Sequence, residues 1–134
     1  MNTTYFLNQI MGNVFHTDED PVIPAAYYIG LSSTEPNVSG GNVSEPRKSG
    51  TAYARVLLDK LSAPRDGIIK NTSPISFTKS SASWGTMTHY VVYDAATGGN
   101  LLFYGRISGG ITVDANAVIT IPADGLTLTL SDLT

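Results

Sequence analysis

Cysteine is absent from the 134 residues, which excludes a disulfide framework and a thiol nucleophile. Only two histidines, His16 and His89, are present, so a tetrahedral zinc site in its usual forms would need ligands shared between subunits. Charge is also scarce: 14% of the residues are Asp, Glu, Lys or Arg, against about 25% in average soluble domains. The net charge of -3 comes without any basic run to track a phosphate backbone, so nucleic acid is not an expected partner. No apolar run approaches the roughly 18 residues of a membrane-spanning helix. The N-terminus lacks the basic start and apolar core of a signal peptide. A chain made and kept in a cytoplasm, or released from one by lysis, is expected. Heptads and short repeats, the usual means of building a long shaft, are missing too.

What remains is 42% apolar, with Ser, Thr and Gly filling much of the rest. Such a weakly charged surface suits an assembly component better than a freely diffusing enzyme. The length fits one domain over residues 1–134, able to bury about two thirds of its unfolded surface. Within it, Leu7, Ile10, Met11, Val14 and Phe15 follow helical spacing and predict an N-terminal helix over residues 3–15, periodic from Thr4 to Phe15. Asn2, Thr3 and Thr4 offer N-caps. The acidic stretch Asp18-Glu19-Asp20 lacks the spacing of a calcium loop and reads as a solvated turn.

The remainder reads as short strands separated by turns, which argues for a mainly β fold: an antiparallel β-sandwich or jelly-roll-like domain. Strands are expected over Ala26 to Ser32, Thr51 to Lys60, Ser73 to Thr78, Thr86 to Asp94, Leu101 to Tyr104, Val118 to Pro122 and Leu126 to Leu130. The first, with Tyr27, Ile29 and Leu31 on one face, places Gly30 at a close approach of backbones. A long irregular loop, residues 33–50, contains Glu35-Pro36 and Glu45-Pro46. Loops of this length in a small domain are usually functional or mobile. Residues 62–71 and Ser108-Gly109-Gly110 read as turns.

Residues Ser83 to Gly105 form the clearest unit, a hairpin whose first strand places Met87, His89, Val91 and Tyr93 on one face and Thr88, Tyr90 and Val92 on the other. Neither face is strongly polar, so both should be covered. Trp84, followed by Gly85, is expected in the core. Asp94 is expected to accept backbone N–H groups of the Ala95 to Gly99 turn, where Gly98 and Gly99 tolerate positive φ. His89 reads as a structural, hydrogen-bonded side chain, since no serine nucleophile motif accompanies it. Asp59, Asp66, Asp94 and Asp114 are scattered, with nothing to suggest the paired carboxylates of a glycosidase. No enzyme activity and no cofactor are expected. The tyrosines are expected in the core, with one or two at a subunit contact. The candidate interface comprises Tyr27, Tyr28, Glu35, Pro36, Glu45, Pro46, Arg47 and Lys48.

Several segments together carry a resemblance: Tyr28-Ile29-Gly30-Leu31-Ser32-Ser33-Thr34-Glu35-Pro36, Val43-Ser44-Glu45-Pro46, Tyr53-Ala54-Arg55-Val56, Ile75-Ser76-Phe77, Ser83-Trp84-Gly85-Thr86-Met87-Thr88-His89-Tyr90, and Tyr93 through Leu102. In this order they resemble a family of small structural proteins of tailed bacteriophages and prophages, commonly labelled phage tail fiber proteins. Pro46-Arg47-Lys48-Ser49-Gly50 departs from the glycine-rich, uncharged loop of that family. The resemblance implies a non-enzymatic virion component assembled in the host cytoplasm. A compact domain without a shaft suggests a capsid decoration (cement) protein, a homotrimer seated between subunits of the major capsid protein. The alternative is a tail-fibre or baseplate knob among tail proteins, binding a host-surface glycan through the 33–50 loop and exposed tyrosines.

Overall fold

The computed structural model describes residues 1–16 and 23–130. Its helix, α1 (Thr4–Phe15), follows the predicted span. Thr3 is the cap: its hydroxyl accepts the Phe6 amide at 3.2 Å and donates to the Leu101 carbonyl at 2.6 Å. One fully buried side chain thus starts the helix and ties it to the sheet. The preceding residues run antiparallel to the chain around Phe103. There the Thr3 amide donates to Leu102 at 3.0 Å, the Tyr104 amide to Met1 at 2.9 Å, and the Met1 ammonium to the Tyr104 carbonyl at 2.7 Å. The apolar face of α1 divides. Phe6, Leu7 and Ile10 are half-buried, whereas Met11, Val14 and Phe15 are 51%, 60% and 72% exposed.

Eight strands follow among the described residues: β1 (Tyr28–Ser32), β2 (Val56–Leu57), β3 (Ile68–Lys70), β4 (Ile75–Ser76), β5 (Gly85–Tyr93), β6 (Leu101–Val113), β7 (Thr120–Ile121) and β8 (Thr127–Thr129). They pair antiparallel into a four-stranded sheet, β2-β1-β5-β6, and two short ladders, β3-β8 and β4-β7. One face of the large sheet supplies Ile29, Leu31, Val92, Phe103 and Ile107 to the main core, where they meet Ile75, Phe77, Ile121 and Leu126 from the region of the ladders. The arrangement is mainly β and sandwich-like with one N-terminal helix, as the alternation of short strands implied. The opposite face of the sheet holds a second cluster, Val91, Tyr93, Leu101 and Tyr104, against Val43 of the long loop. The central strand pair is therefore covered on both sides.

Several local readings are corrected. Ser108-Gly109-Gly110 is not a turn between strands but lies within the 13-residue β6. Met87 pairs with Ile111 while His89 pairs with Arg106, so residues 107–110 bulge out of the ladder. The positive φ of Gly109 and Gly110 permits this. The bulge also breaks the strict alternation of β5. Met87 joins the main core with Val92, whereas Val91 and Tyr93 occupy the outer cluster. The supposed turn at 62–71 contains β3, which pairs through Ile69 and Leu128. The strands expected over 51–60, 73–78 and 118–122 reduce to β2, β4 and β7, because turns and side chains take over the backbone bonds. The Tyr53 hydroxyl, for example, accepts the Leu31 amide at 3.0 Å.

Two buried side chains join distant segments. Trp84 is 6% exposed, stands edge-on to Tyr53 with ring centroids 5.2 Å apart, and donates its indole N–H to the Thr51 carbonyl at 2.9 Å. Asn71, fully buried, donates its amide to the carbonyls of Ser73 at 3.0 Å and Pro122 at 2.9 Å. Its side-chain oxygen accepts the Leu126 amide at 2.9 Å.

Candidate functional site

The long loop is held where extended chain brings two alternate residues to one side. Tyr53 and Arg55, two positions apart, share a face and both reach Glu45. The carboxylate takes Arg55 in a bidentate grip, Nε to Oε1 at 3.0 Å and Nη2 to Oε2 at 2.8 Å, and accepts the Tyr53 hydroxyl at 2.7 Å. Solvent reaches only 5% of the Arg55 side chain and 17% of that of Glu45. The remaining terminal nitrogen of Arg55 crosses to the hairpin turn, donating to the carbonyls of Ala95 and Gly98 at 2.8 Å each. The guanidinium lies over the Tyr93 ring, 3.6 Å from its centroid, a cation–π contact.

Burial alone would push the Glu45 carboxyl upward. The hydrogen bonds from Arg55 and Tyr53, with the positive charges of Arg55 and Lys48, outweigh it and hold the group below its ordinary range. Burial, reinforced by the Glu45 charge, pushes the Tyr53 phenol far above its usual value. Both groups are thus fixed in the forms that bond each other.

Gly30 makes this arrangement possible. A Cβ there would stand 2.6 Å from the Tyr53 hydroxyl and 2.7 Å from Oε1 of Glu45. The expected close approach at Gly30 is present, but it is corrected in kind: what approaches is a cluster of polar side chains rather than a backbone. Gly30→Ala is expected to cost about 1 to 3 kcal/mol, the usual range for overpacking, and to expose the 33–50 loop to proteolysis. Urea unfolding combined with limited proteolysis checks both, and unaltered cleavage of the loop would refute the clash.

The loop folds back on itself. Ser33 donates its amide to Ser44 at 2.9 Å, Thr34 its hydroxyl to Asn42 at 2.6 Å, and the Asn42 side chain its amide to Glu35 at 2.7 Å. Of the candidate interface residues, Glu35, Arg47 and Lys48 are exposed, Tyr27 and Tyr28 are half-buried, and Pro36 and Pro46 are buried. Glu45 is engaged by Arg55. Asp94 accepts from the Asn100 amide at 2.7 Å and the Asn100 side chain at 3.0 Å, rather than from the Ala95 to Gly99 amides. Gly98 and Gly99, at φ 62° and 78°, carry the chain past the carboxylate, so Asn100 is the residue that turns back to it.

His89 is buried, and its Nδ1 lies 2.8 Å from the Thr88 hydroxyl. Burial lowers its pKa, Arg106 works in the same direction and Glu35 opposes. Among the described residues, no three His, Asp or Glu side chains are grouped to hold a metal ion. No helix among them is long and apolar enough to cross a membrane. The Asp18-Glu19-Asp20 turn lies outside the described residues. The pairing of Glu45 with Arg55, the tie of the Thr3 cap to Leu101 and the role of Asn71 had no counterpart in the sequence reading. An arginine alternating with apolar residues in so weakly charged a chain was the available sign for Arg55.

The chain matches the model of a protein family described as podophage GP4 fiber I protein gp80, over residues 2–129. A search of curated proteins found no match.

Proposed function

The chain belongs to the podophage GP4 fiber I protein gp80 family, and from this premise we propose that it serves as a non-enzymatic knob or joint of a phage tail fibre. Membership makes it a structural component of a bacteriophage particle. The observation that carries the finer reading is the match over residues 2–129: the fibre family corresponds to the whole fold rather than to an appended segment. It supports the tail alternative over capsid decoration. The buried ionic cluster fits the same reading, since it fixes the shape of the 33–50 loop.

Two surfaces are assigned to contacts. The loop presents Glu35, Arg47 and Lys48 to an external ligand, for which a host-surface glycan is the class expected of a fibre knob. The outward side of α1, with Met11, Val14 and Phe15 exposed and no charged residue in the helix, suits a neighbouring subunit, another copy of this chain or a tail protein. Gold-labelled antibody against the chain, followed by reconstruction of the parent virion, tests the reading. Label and matching density are expected on the tail fibres. Density distributed over the head would overturn this in favour of the decoration role. The same map gives the number of copies at each site.

A further inference from the structure

The loop 33–50 and the turn 94–100 lie far apart in sequence, yet one guanidinium serves both. Arg55 is held on one side by the Glu45 carboxylate and on the other by the carbonyls of Ala95 and Gly98. Glu45 itself bonds Arg55 and Tyr53 and makes no hydrogen bond to the turn. We propose that Glu45 and Arg55 form a latch that couples the two segments, so that neutralising or removing the carboxylate loosens the turn as well as the loop.

The physical argument rests on where Arg55 sits. Its side chain is 5% exposed, and a buried guanidinium that loses its carboxylate is strongly disfavoured. Its relief is to swing toward water. That movement leaves the Ala95 and Gly98 carbonyls without their donor and uncovers the Tyr93 ring. The turn is then left to the bonds between Asp94 and Asn100, which open more often once it has lost its attachment to the segment leading into β2 and to the loop. A partner pressing on either segment therefore acts on both, independently of what that partner is.

The groups facing Glu45 are Arg55 and Tyr53 beside it, Lys48 on its own loop, and Tyr93 on β5, over which Arg55 lies. Of these, only the carboxyl changes charge in acid. Since it is held below its ordinary 4.5, the latch is complete above that pH and opens as pH falls through the lower value in the folded protein.

Hydrogen exchange followed by mass spectrometry on the full chain tests the coupling, with Glu45→Gln as the near-isosteric variant and the amides of Val91 and Val92 reporting on the sheet. Glu45→Gln is expected to speed exchange of the hydrogen-bonded turn amides, Asp94 and Asn100, about tenfold or more while Val91 and Val92 stay protected. Loosening confined to residues 33–50 would overturn the proposal. Should the variant fail to fold, the wild-type protein is followed as pH is lowered. Loss of protection in both segments at one pH, ahead of the sheet, supports the latch. Separate midpoints, or loss only together with the sheet, refute it.

Discussion

Replacing Trp84 with alanine is expected to lower the free energy of unfolding by about 3 to 5 kcal/mol, the range for truncating a buried large aromatic. Trp84 lies between Tyr53 and Phe77, at centroid distances of 5.2 Å and 6.5 Å, so the cavity opens among rigid rings that relax poorly. The variant also leaves the Thr51 carbonyl without the indole donor at 2.9 Å. Thr51 precedes Tyr53 and Arg55, so damage should spread toward the ionic cluster. Urea unfolding with unchanged m checks the magnitude. A loss below about 1 kcal/mol, far under that range, would mean the site collapses without cost. Trp84→Phe, which refills part of the volume but supplies no donor, should fall between.

Asn71→Asp is expected to cost about 3 kcal/mol or more at neutral pH, although the side chain barely changes shape. The amide that donates to Ser73 and Pro122 becomes an oxygen facing two carbonyl oxygens in a fully buried position. An unpaired buried charge is among the most damaging changes a fold can receive. Its pH dependence has a definite sign. Burial raises the pKa of the introduced carboxyl, so below that raised value it is neutral and donates once, and the penalty shrinks in acid and grows as pH rises. Denaturation at neutral and mildly acidic pH compares the two. An equal loss at both would indicate that the site admits water.

What could be read from residues alone followed the range of the interactions. The span of α1 was legible because Leu7, Ile10 and Met11 keep helical spacing and Thr3 caps locally. The core strand β5 was legible from its β-branched and aromatic run. Its mate β6 was read too short, because a glycine-containing bulge inside a strand has the same local sequence as a turn between strands. Only the pairing of Met87 with Ile111 distinguishes the two. β3 was missed since Ile68 to Lys70 carries almost no pattern without Leu128 opposite it. At the candidate site, Gly30 signalled close approach and Glu45 was singled out with its loop. The Arg55 link to Ala95 and Gly98 spans about 40 residues, a distance over which no local propensity acts. Asn71 is similar, holding Pro122 and Leu126 from 51 and 55 positions away.

The antiparallel seam between the first residues and β6 has a mechanical consequence. Tension applied along that segment loads its bonds in shear: the Met1 ammonium, the Thr3 amide, the Tyr104 amide and the Thr3 hydroxyl share the force at once. The same tension applied across the seam would peel them one after another. The direction of pull therefore decides whether this domain yields as a zipper or resists as a rivet.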